Sequence, residues 1–373
     1  MALLAILFLS FSALYAFATV LLMFAWINIP STKLKAKNES IAFTVVIAAR
    51  NEAENIEVIL RNLSEQSYQN FEILVVNDNS IDATEALVTS VIDKLKLNAR
   101  LLSLSKDKQG KKAAITLGVE NALGEYIITT DADCSVGKEW ISTFAGFIQN
   151  KKAKFISAPV TFYQEKSLFE KLQTVEFMSL IGAGGIFMHW KKPNMCNGAN
   201  ICYEKKVFHA VNGFEGNELL ASGDDEFLMH KIAATYPKDV LFLKDKEALV
   251  KTMPQPSIAA FFQQRKRWAS KWKHYKNMDA VMVAIIVFSF HLTFCIIPFC
   301  FLLGLLSLKL LLVCFGLKIL AEIGYIATLL NFTNQSNRII LIPLVAVLHP
   351  YYVVLFGLVA NFGKYKWKER TLS

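Results

Sequence analysis

Hydrophobic positions divide the chain into three regimes. Residues 2–29 carry no charged side chain, and Pro30 ends a run long enough to cross a hydrocarbon core of roughly 30 Å as a helix. A second apolar region runs from Met278 to Asn331, interrupted by Lys309, Lys318 and Glu322, and a third from Ile339 to Asn361. Val281–Leu303 is long enough to span. Leu305–Leu330, with its three charged groups, reads either as a poorer span or as a helix near the interface, so the pattern predicts three or four spans.

Between the greasy ends the period changes. Ile41–Ala49 is almost continuously apolar, as in a strand covered on both faces, and Arg50-Asn51-Glu52 then opens a helical stretch through Leu63. Phe71–Val76 and Glu125–Thr130 read as strands that end directly at Asn77-Asp78-Asn79-Ser80 and Asp131-Ala132-Asp133, and Phe155–Val160 reads as a further strand. Polar groups thus emerge at strand C-terminal ends, the edge where open α/β sheets bind ligands. The expected fold is α/β, a mostly parallel sheet with helices on both faces.

Three segments follow: a membrane anchor over 1–30, a catalytic domain over 31–276 that includes an interfacial helix over 257–275, and a membrane region with a basic tail over 277–373. Lys33, Lys35 and Lys37 follow the first apolar run, which argues for an uncleaved anchor and keeps the domain cytoplasmic. The basic residues of 265–276 and those of the tail, Lys364, Lys366, Lys368 and Arg370, both prefer that face, which favours an even number of crossings between them. The net charge of +9 has its densest run just before a span, which points to anionic lipid rather than nucleic acid. The six cysteines and His189, His209 and His230 lack paired metal-ligand spacing and suggest neither a disulfide framework nor a histidine metal site.

Several polar groups admit two readings. Asp131 and Asp133 can aim both carboxylates at a divalent cation bridging the phosphates of a nucleotide-sugar, or can cap an ordinary turn. Asp78 can accept hydrogen bonds from a base or ribose. Lys111 can supplement the metal or stand solvated on a helix. Asn200 can meet a sugar hydroxyl or cap a tight turn. Asp224 and Asp225 can cap a helix, or one of them can take a proton. Gln264 and Trp268, four residues apart, share a helical face that Arg267 flanks, while Arg265, Lys266, Lys271 and Lys273 can extend to headgroups and Phe261 and Phe262 lie near the bilayer.

Taken in order, these segments resemble a membrane-bound, inverting family 2 glycosyltransferase of the GT-A fold from about Ile41 to Trp268, with a nucleotide-binding sheet flanked by transmembrane helices. The resemblance implies donor contacts from Ala49, Asn51, Glu52, Asp78, Lys111, Asp131 and Arg267. It implies Mg²⁺ or Mn²⁺ on the DxD carboxylates Asp131 and Asp133, and acceptor contacts from Asn200, Asp224, Gln264 and Trp268. Asp225, the second acid of Gly223-Asp224-Asp225, becomes the base. Gln264, Arg267 and Trp268 match QxxRW. Asn77 stands where an acid is usual, Thr116 where Asn is common, and Asp224 where Glu is usual. The implied activity is transfer of a hexose or N-acetylhexosamine, from a UDP-sugar by preference, to a lipid or lipid-linked saccharide in a cell membrane of bacterial inner-membrane type. A processive polysaccharide synthase with an export or biosynthetic partner is the alternative, and an inactive sensor or assembly module is a third reading.

Overall fold

The computed structural model describes residues 2–31, 34–218, 220, 222–271, 278–359, 365–367 and 370–372, the last two segments by backbone alone. Lys33, Lys273, Lys276, Lys364 and Lys368 lie outside the described residues, as does the end of the helix expected to reach Tyr275. Packing separates two compact units. One comprises 30–164, 187–253 and 366–373, and the other 1–29, 165–186 and 254–365.

The first unit is an α/β body. Its elements, in chain order after helix α1 (Ala2–Asn28), are β1 (Phe43–Ala49), α2 (Ile56–Ser64), β2 (Phe71–Asn77), α3 (Thr84–Leu95), β3 (Ala99–Ser103), α4 (Lys111–Asn121), β4 (Tyr126–Asp131), β5 (Ser135–Val136), α5 (Trp140–Lys151), β6 (Phe155–Ser157) and β7 (Val160–Phe162). After helix α6 (Leu168–His189) come β8 (Ile201–Glu204), α7 (Lys205–Ala210), α8 (Asp224–Thr235), β9 (Val240–Phe242) and β10 (Val250–Thr252). A seven-stranded sheet has the order β3-β2-β1-β4-β8-β6-β9, and β5-β10-β7 form a small second sheet. β1 pairs in parallel with β2 and β4, whereas β8 runs antiparallel between β4 and β6. The strand expected over 155–160 breaks into two, β6 and β7, which pair in different sheets.

Phe43, Val45, Val46 and Ile47 on β1 are all at most 1% exposed, which accounts for the unbroken apolar run: helices cover both faces. Ile56, Ile59, Leu60 and Leu63 of α2, spaced for one helical face, are buried, as are Trp140, Ile141 and Phe144 of α5. Register places Ala49 opposite Asn77 and Ala48 opposite Asp131. The polar ends of three neighbouring strands therefore open at one edge.

The second unit contains α1, most of α6, α9 (Ile258–Ala269), α10 (Met278–Leu302), α11 (Leu308–Phe332), a 3₁₀ turn over Ser336–Leu341 and α12 (Ile342–Val359). Among the described residues four helices, Ala2–Asn28, Met278–Leu302, Leu308–Phe332 and Ser336–Val359, are long and apolar enough to cross a membrane. α11 qualifies despite its charges because Lys318 and Glu322 are buried against each other one turn apart, and Tyr15 of α1 donates to Glu322. Three of the four follow residue 276, an odd number where the basic segments favoured an even one.

α9 begins at an N-cap, Ser257, whose hydroxyl accepts from the Ala260 amide. Arg265 does not reach toward headgroups: it is 2% exposed, paired with Glu176 of α6, and its guanidinium lies 4.2 Å from the Trp268 ring and 4.9 Å from that of Phe261. Burial pushes the Glu176 carboxyl up while the Arg265 charge opposes the shift. Phe261 and Phe262 pack on Phe356 of α12.

Candidate active site

At the open sheet edge, Asn51 takes a left-handed turn (φ 50°) just after β1, and its side-chain oxygen accepts from the Ile81 amide at 3.0 Å. Arg50 donates to the carbonyls of Asp78 and Asn79 at 2.8 and 2.7 Å, binding the loops after β1 and β2 together. Asp78 is 2% exposed, and its amide donates to the Ala49 carbonyl. Glu52 is also buried and accepts from Asn55. Asn77, the departure from an acid, bridges its own loop to α3. Its oxygen accepts from the Ser80 amide and its nitrogen donates to Glu85, a combination that an ionised carboxylate cannot make.

Asp131 ends β4, and a tight turn brings ligand atoms of Asp131, Asp133 and Cys134 within 4.8 Å of one another. Two carboxylates at this spacing, with Asp131 partly exposed, suit a hard divalent cation. Burial pushes the Cys134 thiol well up, so it stays a neutral neighbour.

Lys111, the first residue of α4, reaches Asp131 Oδ1 at 2.7 Å and Asp224 Oδ2 at 3.2 Å. Although burial opposes it, the Asp131 and Asp224 carboxylates hold the Lys111 ammonium above its ordinary range. Burial would raise Asp224, but the Lys111 charge outweighs it and leaves that carboxyl below its ordinary value. Asp225 is gripped by two amides, Gly198 N–H to Oδ2 at 2.7 Å and Glu226 N–H to Oδ1 at 2.8 Å. At Gly198 a Cβ would stand 3.1 Å from both Asp224 Oδ2 and Lys111 Nζ, so both side chains would have to give by a few tenths of an ångström to admit one. Strand end, α4 and the start of α8 thus share one cluster of three carboxylates and one ammonium.

Asn200 does not join this cluster. It is fully buried, its oxygen accepting from Trp140 Nε1 at 3.1 Å and its nitrogen donating to the carbonyls of Pro159 and Ala248 at 2.7 Å each. With these contacts made, it braces the sheets and leaves nothing for an acceptor sugar, correcting the expectation from sequence. Gln264, Arg267 and Trp268 lie on α9 in the other unit, where Trp268 also faces Phe177 with ring centroids 6.1 Å apart. Sequence reasoning passed over Lys112 and Glu176. The only signals for them were a second lysine beside Lys111 and one acid within an apolar helix.

At the C-terminal edge of an α/β sheet, in a chain with long apolar helices, these carboxylates form a site able to hold a divalent cation. Residues 44–211 match the model of glycosyl transferase family 2. Poly-beta-1,6-N-acetyl-D-glucosamine synthase of Staphylococcus aureus (strain COL) is 30% identical over 141 residues, 37% of this chain and 33% of that protein. Amylovoran biosynthesis glycosyltransferase AmsB of Erwinia amylovora is 39% identical over 98 residues, 26% of this chain and 32% of that one. The chain therefore spans about a third of the length of these relatives. The fold is similar to that of mannosyltransferase PcManGT from Pyrobaculum calidifontis, solved with GDP-Man and Mn2+, at a TM-score of 0.61 and 17% identity over 92% of this chain and 99% of that one.

Proposed function

We propose that this chain is an inverting, divalent-metal-dependent glycosyltransferase that adds sugar from a nucleotide diphosphate donor to a growing glycan at a membrane surface. The observation that carries the reading is the Lys111 bridge, which joins the metal-side carboxylate Asp131 at 2.7 Å to the base-side carboxylate Asp224 at 3.2 Å. A cation on Asp131 and Asp133 would offset charge on the departing diphosphate. Asn51, Glu52 and Asp78 would hold the nucleoside, and Asp225 would take the proton from the attacking hydroxyl. The two amides on Asp225 hold its carboxylate in one orientation, which supports that role. Gln264, Arg267 and Trp268 are proposed to serve the acceptor and diphosphate from α9.

The lipid or lipid-linked acceptor expected from sequence yields to a polysaccharide-building reading, because the curated relatives named above are a polysaccharide synthase and an amylovoran biosynthesis enzyme. A bacterial cytoplasmic membrane with the α/β unit on the cytoplasmic side fits the lysines after α1. An N-acetylhexosamine carried on UDP is the favoured donor. Full-length protein in detergent, given labelled UDP-N-acetylglucosamine, UDP-glucose or GDP-mannose with Mn²⁺ and glycan or lipid acceptors, should yield a product ladder. Asp131→Ala and Asp133→Ala should abolish it together with Mn²⁺-dependent nucleotide binding. A single addition restricted to lipid would overturn the polymerising reading, and nucleotide binding that persists in both variants would overturn the metal site.

A further inference from the structure

The carbonyls of Asn217, Leu220 and Ser222 converge on one point just before α8, and the ammonium of Lys112 occupies it, at 2.7, 2.8 and 3.1 Å. An ammonium has three N–H donors, enough to meet each of these carbonyls. Lys112 is 7% exposed, and its Nζ also lies 5.3 Å from the Phe227 ring centroid in the first turn of α8. Only Gly223, in the left-handed conformation at φ 80°, and Asp224 separate the last of these carbonyls from Asp225. On the other side of the same loop, Lys231 of α8 donates to the carbonyls of Gly213 and Glu215 at 2.9 and 2.7 Å.

We propose that Lys112 is a positioning residue that sets where Asp224 and Asp225 stand by binding the carbonyls of the loop in front of them. The inference rests on the reading of Asp225 as the base. Lys111 and Lys112 open the same helix and divide the work. Lys111 meets the carboxylates themselves, and Lys112 meets the backbone that delivers two of them. Converging carbonyls repel one another unless a cation or several donors stand between them, so a neutral side chain at 112 would let the loop open and carry α8's first turn with it. Arginine keeps the charge, but its planar fork does not match three converging carbonyls at ammonium distance. The donor side, built on β1, β2 and β4, does not depend on this contact.

The test measures kcat, donor KM and Mn²⁺-dependent nucleotide-sugar binding in full-length protein. The donor is whichever of UDP-N-acetylglucosamine, UDP-glucose and GDP-mannose turns over with the parent. A misplacement of about 1 Å at a reacting group costs on the order of 100-fold, so Lys112→Met should lower kcat about 10- to 100-fold while donor binding stays within about threefold. Lys112→Arg, which keeps the charge should the methionine variant fail to fold, should fall between the two. Parental kcat in either variant overturns the proposal, as does a loss of donor binding in step with kcat. Asp225→Asn in the same assay separates the two readings: its retained turnover would remove the base assignment, whereas a silent Asp225→Asn beside a fully active Lys112→Met would sink the Lys112 role alone.

Discussion

Lys111→Met removes the one ammonium between Asp131 and Asp224 with little change of volume. At an effective dielectric of about 20, unit charges at these separations attract by about 6 and 5 kcal/mol, but those are gross values. The lysine's own desolvation and the 39% exposure of Asp131 return most of that, so removing one member of this partly exposed pair costs less than the roughly 3–5 kcal/mol typical of a fully buried one. Two opposite consequences follow at the bench. Without nucleotide, Asp131 no longer has a competitor for the cation, so Mn²⁺ should bind about tenfold more tightly, equivalent to about 1.4 kcal/mol. With nucleotide, a positive charge that would face the diphosphate is gone, so donor affinity should fall about 10- to 100-fold. Titration calorimetry on the full-length protein, Mn²⁺ alone and then nucleotide-sugar with saturating Mn²⁺, reads both. Equal weakening of the two would show that Lys111 merely supports the fold, and unchanged values would refute the bridge as an energetic link.

Gly124→Ala would drive a Cβ to 2.4 Å from the β1 backbone at Phe43 and Thr44, so thermal unfolding of the α/β unit should shift down by several degrees, equivalent to about 1–3 kcal/mol. A variant melting with the parent would contradict the close approach. Arg265→Met should destabilise the apolar-helix unit by about 3–5 kcal/mol because Glu176 is left buried without its cation, whereas the double variant Arg265→Met with Glu176→Met should recover most of the loss in melting temperature. The depressed carboxyl of Asp224 gives stability that is full above its unfolded pKa near 4 and is lost as pH falls through its lower folded value. The raised ammonium of Lys111 gives stability that is full below about 10.5 and is lost only as pH rises beyond it. The Lys111 cluster should therefore be pH-insensitive between about 4 and 10.5 in melting experiments, and a transition near neutrality that disappears in Asp224→Asn would contradict the assignment.

The sheet edge was legible because burial on both faces leaves an unbroken apolar word such as Phe43–Ala49, and because the residues that interrupt it are polar groups at the strand C-terminal ends. Asp131 and Asp133 stand at the end of β4, where the apolar pattern put them, and the turn brings their carboxylates close together. Residues whose partners are far along the chain were not legible in the same way. Arg265 sits in a basic run and reads as solvated, since nothing local announces Glu176, 89 residues earlier. Asn200 looks like a turn cap or a sugar contact, and only the crossing of β8 with Trp140, Pro159 and Ala248 uses up its amide. Lys111 and Lys112 are adjacent and chemically identical. The direction in which each leaves the helix decides which one meets carboxylates and which meets carbonyls.

The contact from Tyr15 to Glu322 joins residues 307 apart in sequence, and it has a consequence for biogenesis. At about 5–20 residues per second, the first helix must wait roughly 15–60 s in the bilayer before the helix bearing its acidic partner has been made. Glu322 arrives with Lys318 already one turn away, so α11 can enter as a neutral pair and then recruit the waiting tyrosine. Assembly of the apolar helices is thereby a late event, closed by the last third of the chain, and a truncated product would leave its first helix without the polar contact that holds it in place.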